Sequence, residues 1–581
     1  MSRVYAVLIN RGGHPDGSQP FNLNSVLRST GMQLRSRFGP ASIFASSRTP
    51  TIQLPNGGAI VGDLYSRGGV SLHDARELSL DTSAAIRRHI IENYWGDYIL
   101  VLPGEKDPCS VDVTRSPSPA CDLQCVYSIQ SESGFVTSDI SLAAELGLYT
   151  KRIDLDYIVH RLTYPNLKTV RTGLADVSEL LPGSTVSLSS AGIQVNQDWS
   201  PWDFVGPGRT YSDLQEAAST VREAIDLVVN TWANHDKSIM LELSGGLDSS
   251  IVGACLNEFH AQVVCSTLST PVPGADEKDY ASLIADRLGV ELLSTRLEFD
   301  DAPFEFPLSP ELVTPGVGPL QYATDKVMQA VATRHGTETY FSGGGGDTVF
   351  CYLTSAVPAA DAFRAAGLSA GVSTVRDIAM FHQCTYWKAG RLALRKLVHP
   401  HGEQHSVDFS FLSPLLPAPE PQYHPWLSAP STALLGDRQR IFQLSGTQFL
   451  RDICPRGLTR RLRMPLLSQP VIEACLRAPS WMWFIGGQNR AVAREAFSDL
   501  LPPKILARKS KGTFTAYLGA LYRRNGTKAL DFLLGGMLHA HNLLDADELR
   551  RATRATCLHD EKHFTRIFQL CAVENWARQQ S

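Results

Sequence analysis

The sequence from residue 212 onwards alternates helix-type and strand-type segments, and this alternation limits the fold more than any other feature. Residues 212–235 repeat apolar side chains at helical spacing and begin with Ser212 and Gln215 in capping-box positions. Strand-type runs follow at "SIMLELS", "AQVVCSTLS" and "ETYFS", with helix-type segments between them and glycine loops after the first and the third. Strands joined through helices predict a parallel, doubly wound sheet.

The first part of the chain has a different pattern. Short alternating segments separated by Gly and Pro predict β structure in residues 94–104, 125–140 and 180–195. Residues 200–210 are rich in Pro and Gly and predict a linker. The 581 residues are therefore expected to form two domains, residues 1–205 and residues 206–581, and the part after about residue 355 is predicted to be mostly helical.

The overall composition excludes several classes of protein. A net charge of −4 gives no reason to expect nonspecific nucleic-acid binding. No apolar run is long enough to span a bilayer or to form a signal peptide, so a cytoplasmic location is predicted. The 11 cysteines include no Cys-x-x-Cys pair, which predicts reduced thiols rather than zinc sites or disulfides. The basic run at residues 456–463 is interpreted as a solvated face.

The first glycine loop, in "LELSGGLDSSIV", has the composition of a phosphate-binding site. A strand that ends at Ser244–Gly246 and leads into a helix near Ser249 offers backbone amides and the positive end of the helix dipole. The hydroxyls of Ser244, Ser249 and Ser250 add hydrogen-bond donors. Asp248 would repel an anion unless it binds Mg²⁺, which in turn binds the phosphates. The alternative is a glycine-rich turn with Asp248 as the helix N-cap.

Two loops resemble those of known enzymes. "SGGLDSS" resembles the pyrophosphate loop of the ATP pyrophosphatases, which cleave ATP between the α- and β-phosphates and transfer AMP to an oxygen, usually of a carboxylate. "FSGGGGDTVF" resembles the "SGxGxD" loop of asparagine synthetases and β-lactam synthetases. That resemblance implies that Asp347 is the second Mg²⁺ ligand beside Asp248.

Two later segments, residues 463–479 and 489–514, also resemble these synthetases. Aligning "RKSKGTF" on Phe514 places Lys511 where the synthetases have a lysine that neutralises charge on phosphate and on the tetrahedral intermediate. Aligning on Arg508 instead places Ser510 there. A solvated basic turn is the alternative interpretation of this segment.

The N-terminal segments "YWGDYILVL", "RSPSPACDLQCVYSI" and "LLPGSTVSL" resemble the glutaminase domain of the same enzymes. This implies an Ntn-type β-rich sandwich in residues 1–205. In those glutaminases a cysteine nucleophile directly follows the initiator Met, whereas this sequence has Ser2 and no cysteine before Cys109. The resemblance therefore implies a degenerate domain that does not release ammonia from glutamine.

Gly344 separates this chain from both synthetase groups, because asparagine synthetases have Glu at that position and β-lactam synthetases have Tyr. The glycine-rich loop is most similar to that of the lasso-peptide cyclases (macrolactam synthetases). That resemblance implies adenylation of an Asp or Glu side chain in a precursor peptide, followed by attack of the peptide's N-terminal amine. It also implies a leader-peptide-binding protein and a leader protease as partners.

The resemblance and the predicted topology together give a set of site residues. Lys511 and Asp347 are the predicted catalytic residues, and Asp248 and Asp347 the Mg²⁺ ligands. Asp276 and Glu277 are expected only to cap a helix. Two alternative functions remain: a small-molecule amide ligase that forms asparagine or a β-lactam, and an inactive nucleotide-binding scaffold. The predicted ATP and pyrophosphate contacts are Leu243, Ser244, Gly245, Gly246, Asp248, Ser249, Leu268, Ser342 and Gly343.

Overall fold

We describe the fold from a computed structural model of the chain. The residues that it describes are 3–10, 30–78, 80, 82–105, 107, 109–130, 133–189, 192–256, 261–274, 276–399, 405–509, 512–554 and 561–580.

The N-terminal part is built from two six-stranded antiparallel sheets, with orders β12-β10-β11-β1-β3-β2 and β14-β13-β9-β8-β5-β4. A short pair, β6 and β7, stands apart from them. The strands are β1 Tyr5–Asn10, β2 Met32–Phe38, β3 Ala41–Ser46, β4 Thr51–Gln53, β5 Ala59–Gly62, β6 Tyr65–Ser66, β7 Tyr94–Trp95, β8 Tyr98–Pro103, β9 Val111–Arg115, β10 Val126–Ile129, β11 Ser133–Thr137, β12 Ser178–Glu179, β13 Ser184–Ser189 and β14 Gly192–Gln197. The helices here are α1 Ser83–Asn93, α2 Ile140–Glu145 and α3 Leu155–Thr163.

The two sheets pack face to face as a sandwich. Successive side chains of a strand point to opposite faces, so Val7 and Ile9 of β1 enter the same apolar core as Ile99 and Val101 of β8. Ala6 and Leu8, on the other face of β1, pack with the helical end of the chain. The predicted β-rich sandwich is confirmed.

The C-terminal part is organised around a five-stranded parallel sheet with the order β17-β16-β15-β18-β19. Its strands are β15 Ser238–Glu242, β16 Gln262–Ser269, β17 Leu292–Arg296, β18 Thr339–Ser342 and β19 Arg461–Arg463, and a separate hairpin pairs β20 Phe484–Ile485 with β21 Gln488–Asn489. Ile239, Met240 and Leu241 of β15 are all fully buried, so both faces of the central strand are covered. The predicted doubly wound sheet is confirmed.

Helices surround this sheet and make up most of the chain after residue 355, as predicted. The sequence predicts the first of them at residues 212–235, and it begins at Leu214. They are α4 Leu214–His235, α5 Leu247–Cys255, α6 Lys278–Leu288, α7 Pro319–Arg334, α8 Gly346–Val349, α9 Val357–Ala365, α10 Gly367–Phe381, α11 Tyr386–Val398, α12 Leu435–Gly446, α13 Phe449–Asp452, α14 Arg456–Thr459, α15 Gln469–Arg477, α16 Ala491–Ala496, α17 Pro503–Leu506, α18 Thr515–Leu534, α19 Met537–Ala540, α20 Ala546–Arg554 and α21 Glu561–Gln580.

The capping box predicted at Ser212 and Gln215 is wrong by one residue. The N-cap of α4 is Asp213, whose carboxylate accepts from the backbone N–H of Glu216. The Glu216 carboxylate in turn accepts from the backbone N–H of Ser212. Asp is as good an N-cap as Ser, so residue preferences could not choose between adjacent candidates.

The basic run at residues 456–463 is not a solvated face, so that interpretation is wrong. Arg456 and Arg463 are buried. Arg456 donates to Glu242 at 2.8 Å and also binds Asp325. Charge runs usually lie in solvent because burying an unpaired guanidinium is costly, but here each buried arginine has carboxylate partners from distant segments.

Arg463 joins the sandwich to the parallel sheet. Its guanidinium lies 2.9 Å from a carboxylate oxygen of Asp236 and 3.2 Å from one of Asp63, and it also binds Asp97. Although burial opposes ionisation, Arg3 and Arg463 hold the pKa of Asp63 well below its usual range. Burial raises the pKa of Asp97, against the attraction of Arg463.

The segment predicted as a linker also packs against the C-terminal part. Residues Pro201–Phe204 form a 3₁₀ helix, and the indole N–H of Trp202 donates to the backbone carbonyl of Trp426 at 2.6 Å. The boundary at residues 205/206 stays a prediction. Within the described ranges, no helix combines the length and apolarity that crossing a membrane requires.

Candidate active site

The first glycine loop lies at the carboxyl end of the central strand β15. α5 begins at Leu247, two residues before the predicted start, and its N-cap is Gly246 rather than Asp248. Gly245 has φ +65°, and a Cβ there would lie 2.5 Å from the Cβ of Tyr280, so packing and backbone conformation both require glycine. Asp248 therefore lies in the first turn of α5 and is free of the capping role.

The three serines of this loop have different environments. Ser244 is exposed, and its hydroxyl lies 3.1 Å from that of Ser249. The Ser249 hydroxyl also accepts from the backbone N–H of Ser244 at 3.2 Å, which closes the loop on itself. Ser250 is fully buried, so its predicted role as a phosphate donor is wrong. Residues one apart on a helix face different sides, and Ser250 faces the core.

The second glycine loop lies beside the first. β18 pairs in parallel with β15, and Ser342 is in register with Glu242, so both strands end at the same edge of the sheet. A Cβ at Gly343 would lie 2.5 Å from the backbone nitrogen of Ser249, and one at Gly346 would lie 2.4 Å from Cγ of Asp248. The glycines thus let the two loops approach to contact distance.

Gly344 differs from its neighbours. A Cβ there would meet Sδ of Met464 at 3.3 Å and Oγ of Ser342 at 3.6 Å, whereas one at Gly345 would meet Cδ2 of Leu467 at 2.4 Å. The methionine side chain is flexible and can move by a few tenths of an ångström. Gly344 is therefore the member of the run that packing does not require.

Arg490 connects the two carboxylates, and the sequence-based prediction missed it. Its Nη1 donates to Oδ1 of Asp248 at 3.1 Å and to Oδ1 of Asp347 at 3.0 Å. Asp248 and Arg490 are almost completely buried, while the Asp347 side chain is 42% exposed. Two carboxylates that share one cationic nitrogen form a single cation-binding point.

Arg490 is positioned by the β20–β21 hairpin, which ends one residue before it. It has φ +55°, an uncommon conformation for a residue with a side chain, and α16 begins at the next residue. One sequence signal could have identified Arg490. Residues 489–514 resemble a synthetase segment that contains "K-x-x-L-R-x-A-F", and Arg490 occupies the position of its lysine.

A second arginine holds the basic segment against the first loop. Arg508 donates to the backbone carbonyl of Gly245 at 2.8 Å and also binds the Glu277 carboxylate. Glu277 further accepts from the backbone N–H of Gly512 at 2.8 Å. The described ends of "RKSKG" are therefore tied to the glycine loop. Lys511 and Ser510 lie outside the described residues, and the role of Lys511 stays a prediction.

The expectation that Asp276 and Glu277 only cap α6 is half right. Asp276 accepts from the backbone N–H of Lys278 at 3.1 Å. Glu277 is the N-cap residue, yet its side chain makes no capping hydrogen bond because it binds Arg508 and Gly512 instead. Glu277 is thus part of the site, and the basic segment that it binds lies 231 residues further along the chain.

The two leucines predicted to contact ATP lie near the same edge of the sheet. Leu243 directly follows β15 and is buried, and its backbone N–H donates to Ser266 of β16 at 2.9 Å. Leu268 is the penultimate residue of β16 and is half-buried. The structure brings the predicted loop residues and both leucines to this edge of the sheet, while their contacts with nucleotide stay predictions.

The fold and these loops define an α/β protein with a carboxylate-bearing glycine site at the carboxyl edge of a parallel sheet. The asparagine synthase family model matches residues 220–578, more than half of the chain, and the chain belongs to this family. "Asparagine synthetase [glutamine-hydrolyzing] 1" of Bacillus subtilis (strain 168) is 26% identical over 203 residues. The matched region spans 34% of this chain and 31% of that relative.

Two solved structures are similar at a much lower level. The allosteric regulatory enzyme of purine biosynthesis is 8% identical with a TM-score of 0.21, and the match covers 53% of this chain and 76% of that one. Glutamine phosphoribosylpyrophosphate amidotransferase from B. subtilis, complexed with ADP and GMP, is 8% identical with a TM-score of 0.20, covering 59% and 84%. At these scores neither structure bears on the fold or function of this chain.

Proposed function

We propose that this protein is an ATP-dependent amide ligase that closes a macrolactam ring in a precursor peptide of the lasso type. It adenylates an Asp or Glu side chain and then joins that carbonyl to the N-terminal amine of the same peptide. The observation that carries the proposal is the pairing of Asp248 and Asp347 around one cation-binding point at the ends of adjacent parallel strands.

The donor set fits Mg²⁺ bound together with ATP. Mg²⁺ uses one or two protein carboxylates and keeps its remaining positions for phosphate and water. Over the described part of the chain, no group of three or more His, Cys, Asp or Glu side chains could hold a metal without such help. When bound, Mg²⁺ would neutralise charge on the phosphates of ATP.

The chain's own residues would bind and orient the reacting groups. A carboxylate oxygen of the peptide attacks the α-phosphorus, the bond from that phosphorus to the bridging oxygen breaks, and pyrophosphate leaves with the electron pair. Ser244 and the N-terminus of α5 would hold the pyrophosphate. The amine nitrogen then attacks the acyl carbon, the bond to the AMP oxygen breaks, and the amine proton passes to solvent. Lys511 would neutralise the oxyanion.

Space in the second loop supports a substrate larger than aspartate. Asparagine synthetases have Glu and β-lactam synthetases have Tyr at the position of Gly344, so the absence of that side chain leaves room in this loop. A peptide that brings its own amine would use that room and needs no ammonia. Because the amine and the acyl-adenylate belong to one bound molecule, their encounter is unimolecular.

Two of the three cysteines in the sandwich support the absence of a glutaminase step. Cys121 and Cys125 are fully buried, and burial raises their pKa to about 11 and about 12. Neither is a thiolate at neutral pH, and the thiolate is the nucleophilic form. A leader-peptide-binding protein and a leader protease are the partners that this proposal requires.

Asparagine formation is the second candidate, and the Bacillus relative favours it. The two candidates differ in the acceptor amine: free ammonia for asparagine, and the amine of the peptide for the macrolactam. An inactive nucleotide-binding scaffold would release no AMP with any substrate.

The test incubates the purified protein with ATP, Mg²⁺ and either a linear peptide bearing a free N-terminal amine and an internal Asp or Glu, or aspartate with ammonium. The proposal expects AMP and pyrophosphate only with the peptide, together with loss of one water from its mass. Asp347→Ala and Lys511→Ala should abolish AMP release in folded protein. AMP formed only with aspartate would replace the macrolactam with asparagine, and no AMP with either would contradict the ligase.

A further inference from the structure

The helices that follow the second glycine loop form a three-helix cluster with an unusual outer surface. α10 and α11 pack on α9 and on each other. Their inner faces carry small residues: Ala389 and Ala393 of α11 are buried, and a Cβ at Gly371 of α10 would lie 2.1 Å from the ring of Phe363. Small residues let the helices approach closely, so the large apolar side chains lie on the outer side.

We name this outer side the α10–α11 surface. Eight of the twenty large apolar side chains that the described protein exposes lie on these two helices, so exposed apolar residues are concentrated there. Trp387 is the most prominent, with 81% of its surface exposed. The eight are Leu368, Val372, Met380, Tyr386, Trp387, Leu392, Leu394 and Val398.

The patch on α11 has the spacing of a helix–helix seam. Trp387, Arg391, Leu394 and Val398 follow one another at intervals of four, three and four residues, which is the repeat of residues that face a partner helix. At 1.5 Å rise per residue this seam is about 17 Å long. Its length and narrowness match one partner helix.

α10 adds the second wall of the groove. Only four residues separate α10 from α11, so the two helices run antiparallel, and Gly390 of α11 lies against Val375 of α10. The exposed start of α10, with Leu368 and Val372, therefore lies beside the exposed end of α11. A helix placed over the seam would contact both walls.

The charges on α11 indicate which kind of partner can bind there. α11 contains Lys388, Arg391, Arg395 and Lys396 and no acidic residue, and Arg391 lies within the seam itself. A second copy of this chain would place like charges opposite one another, which is unfavourable. A membrane-surface helix needs a broad apolar face, and the α11 seam is narrow and interrupted by an arginine. An acidic, amphipathic helix can bury the apolar residues of the seam and can also place a carboxylate against Arg391.

We propose that the α10–α11 surface docks an acidic amphipathic helix of another protein. The surface is continuous with the candidate active site through α10. Met380 packs on Gly487, and Asp377 accepts hydrogen bonds from the backbone of Gly486 and Gly487 in the β20–β21 hairpin that leads to Arg490. An occupant would therefore contact α10, the helix that packs on the hairpin leading to Arg490. This inference does not depend on the chemistry proposed above.

The test measures binding of a fluorescently labelled synthetic helix, about 18 residues long, with Leu at the seam positions and Glu elsewhere. The wild-type chain should bind it and should bind the version with Lys in place of Glu at least about tenfold more weakly. Trp387→Ser combined with Leu394→Ser should weaken binding at least about tenfold. Val70→Ser changes an equally solvent-facing side chain, 70% exposed, on the sandwich and should leave binding unchanged.

Charge reversal makes the test specific. Arg391→Glu should weaken binding of the Glu helix and strengthen binding of the Lys helix, and thermal unfolding should show that each variant stays folded. Equal binding of both helices by the wild type, or unchanged binding by the Trp387/Leu394 variant, would overturn the proposal. So would Trp387-dependent self-association in sedimentation, or Trp387-dependent adsorption to phosphatidylglycerol vesicles without binding of the Glu helix. Each readout is independent of ATP, so failure here leaves the proposed reaction untouched.

Discussion

Replacing Arg490 by Met should increase the affinity of the site for a divalent cation in the absence of nucleotide. Arg490 holds Asp248 and Asp347 through hydrogen bonds of 3.1 and 3.0 Å, and a cation between the carboxylates must displace it. A hydrogen bond to the buried Asp248 contributes about 1.5–3 kcal/mol. The bond to Asp347 contributes at most a few tenths more, because that side chain is 42% exposed and its charge is screened.

The sum is about 2 kcal/mol, which corresponds to about 30-fold in a dissociation constant. Titration with Mn²⁺, followed by the loss of the free-ion electron paramagnetic resonance signal, measures this affinity directly. Arg490→Met should bind Mn²⁺ up to about 30-fold more tightly than the wild type, and adding Asp347→Asn should cancel most of the gain. Arg508→Met is the matched control, because Arg508 binds Gly245 and Glu277 rather than the two carboxylates.

Unchanged or weaker Mn²⁺ binding by Arg490→Met would refute this reasoning. It would mean that the guanidinium does not occupy the place of a cation, and that the two carboxylates do not act as one site. An equal gain in Arg508→Met would also refute it, because the effect would then come from general loss of positive charge near the loops. Turnover should fall in Arg490→Met even though Mn²⁺ binds more tightly, because the positive side chain between Asp248 and Asp347 is lost.

Three further predictions test other parts of the molecule. Gly346→Ala should abolish ATP–pyrophosphate exchange because its methyl group would lie within 2.4 Å of a carboxylate carbon, whereas Gly344→Ala should retain most of the exchange. Arg463→Met should lower the free energy of unfolding, measured in urea, by about 3–5 kcal/mol, because buried carboxylates then have lost their cationic partner. Adding Asp97→Asn should restore part of the lost stability. Burial and a neighbouring carboxylate raise the pKa of Glu311 to about 7, so the folded chain binds a proton there that the unfolded chain loses near its usual pKa. Stability should therefore fall as pH rises from about 4.5 to about 7, and Glu311→Gln should flatten that decline in urea unfolding curves collected across this range.

The sequence was sufficient for the sheet and for the two loops because their signals are local. A strand that ends in glycines and leads into a helix is readable within about a dozen residues, and parallel strands bring such ends to one edge. The resemblance to the synthetases implied that Asp347 acts beside Asp248, and the parallel pairing of β15 with β18 brings the two residues to the same edge. The exact helix start and cap were off by one or two residues, because Asp, Ser and Gly are all good N-caps.

The wrong and missing predictions about arginines have a common cause. The carboxylates that bind these arginines are distant from them in sequence. Arg490 bonds to residues 242 and 143 positions away, and nothing in its own segment indicates a carboxylate pair. Arg463 binds Asp97 and Asp63 from 366 and 400 positions away. A rule based on residue type assigns such arginines to solvent, and only the fold supplies the carboxylates that make their burial tolerable.

The Arg463 cluster also explains how the sandwich can support the site in the C-terminal part. Arg463 lies on β19, the edge strand of the parallel sheet, and β19 pairs with β18. β18 leads directly into the loop that carries Asp347. Because Asp63 and Asp97 of the sandwich bind Arg463, they hold this edge strand in register beside β18. A sandwich that only covered apolar surface would not need to place two buried carboxylates at that contact. Arg463→Met should therefore loosen the second glycine loop as well as the domain contact, so that Mn²⁺ affinity falls in the folded variant, in the opposite direction to Arg490→Met.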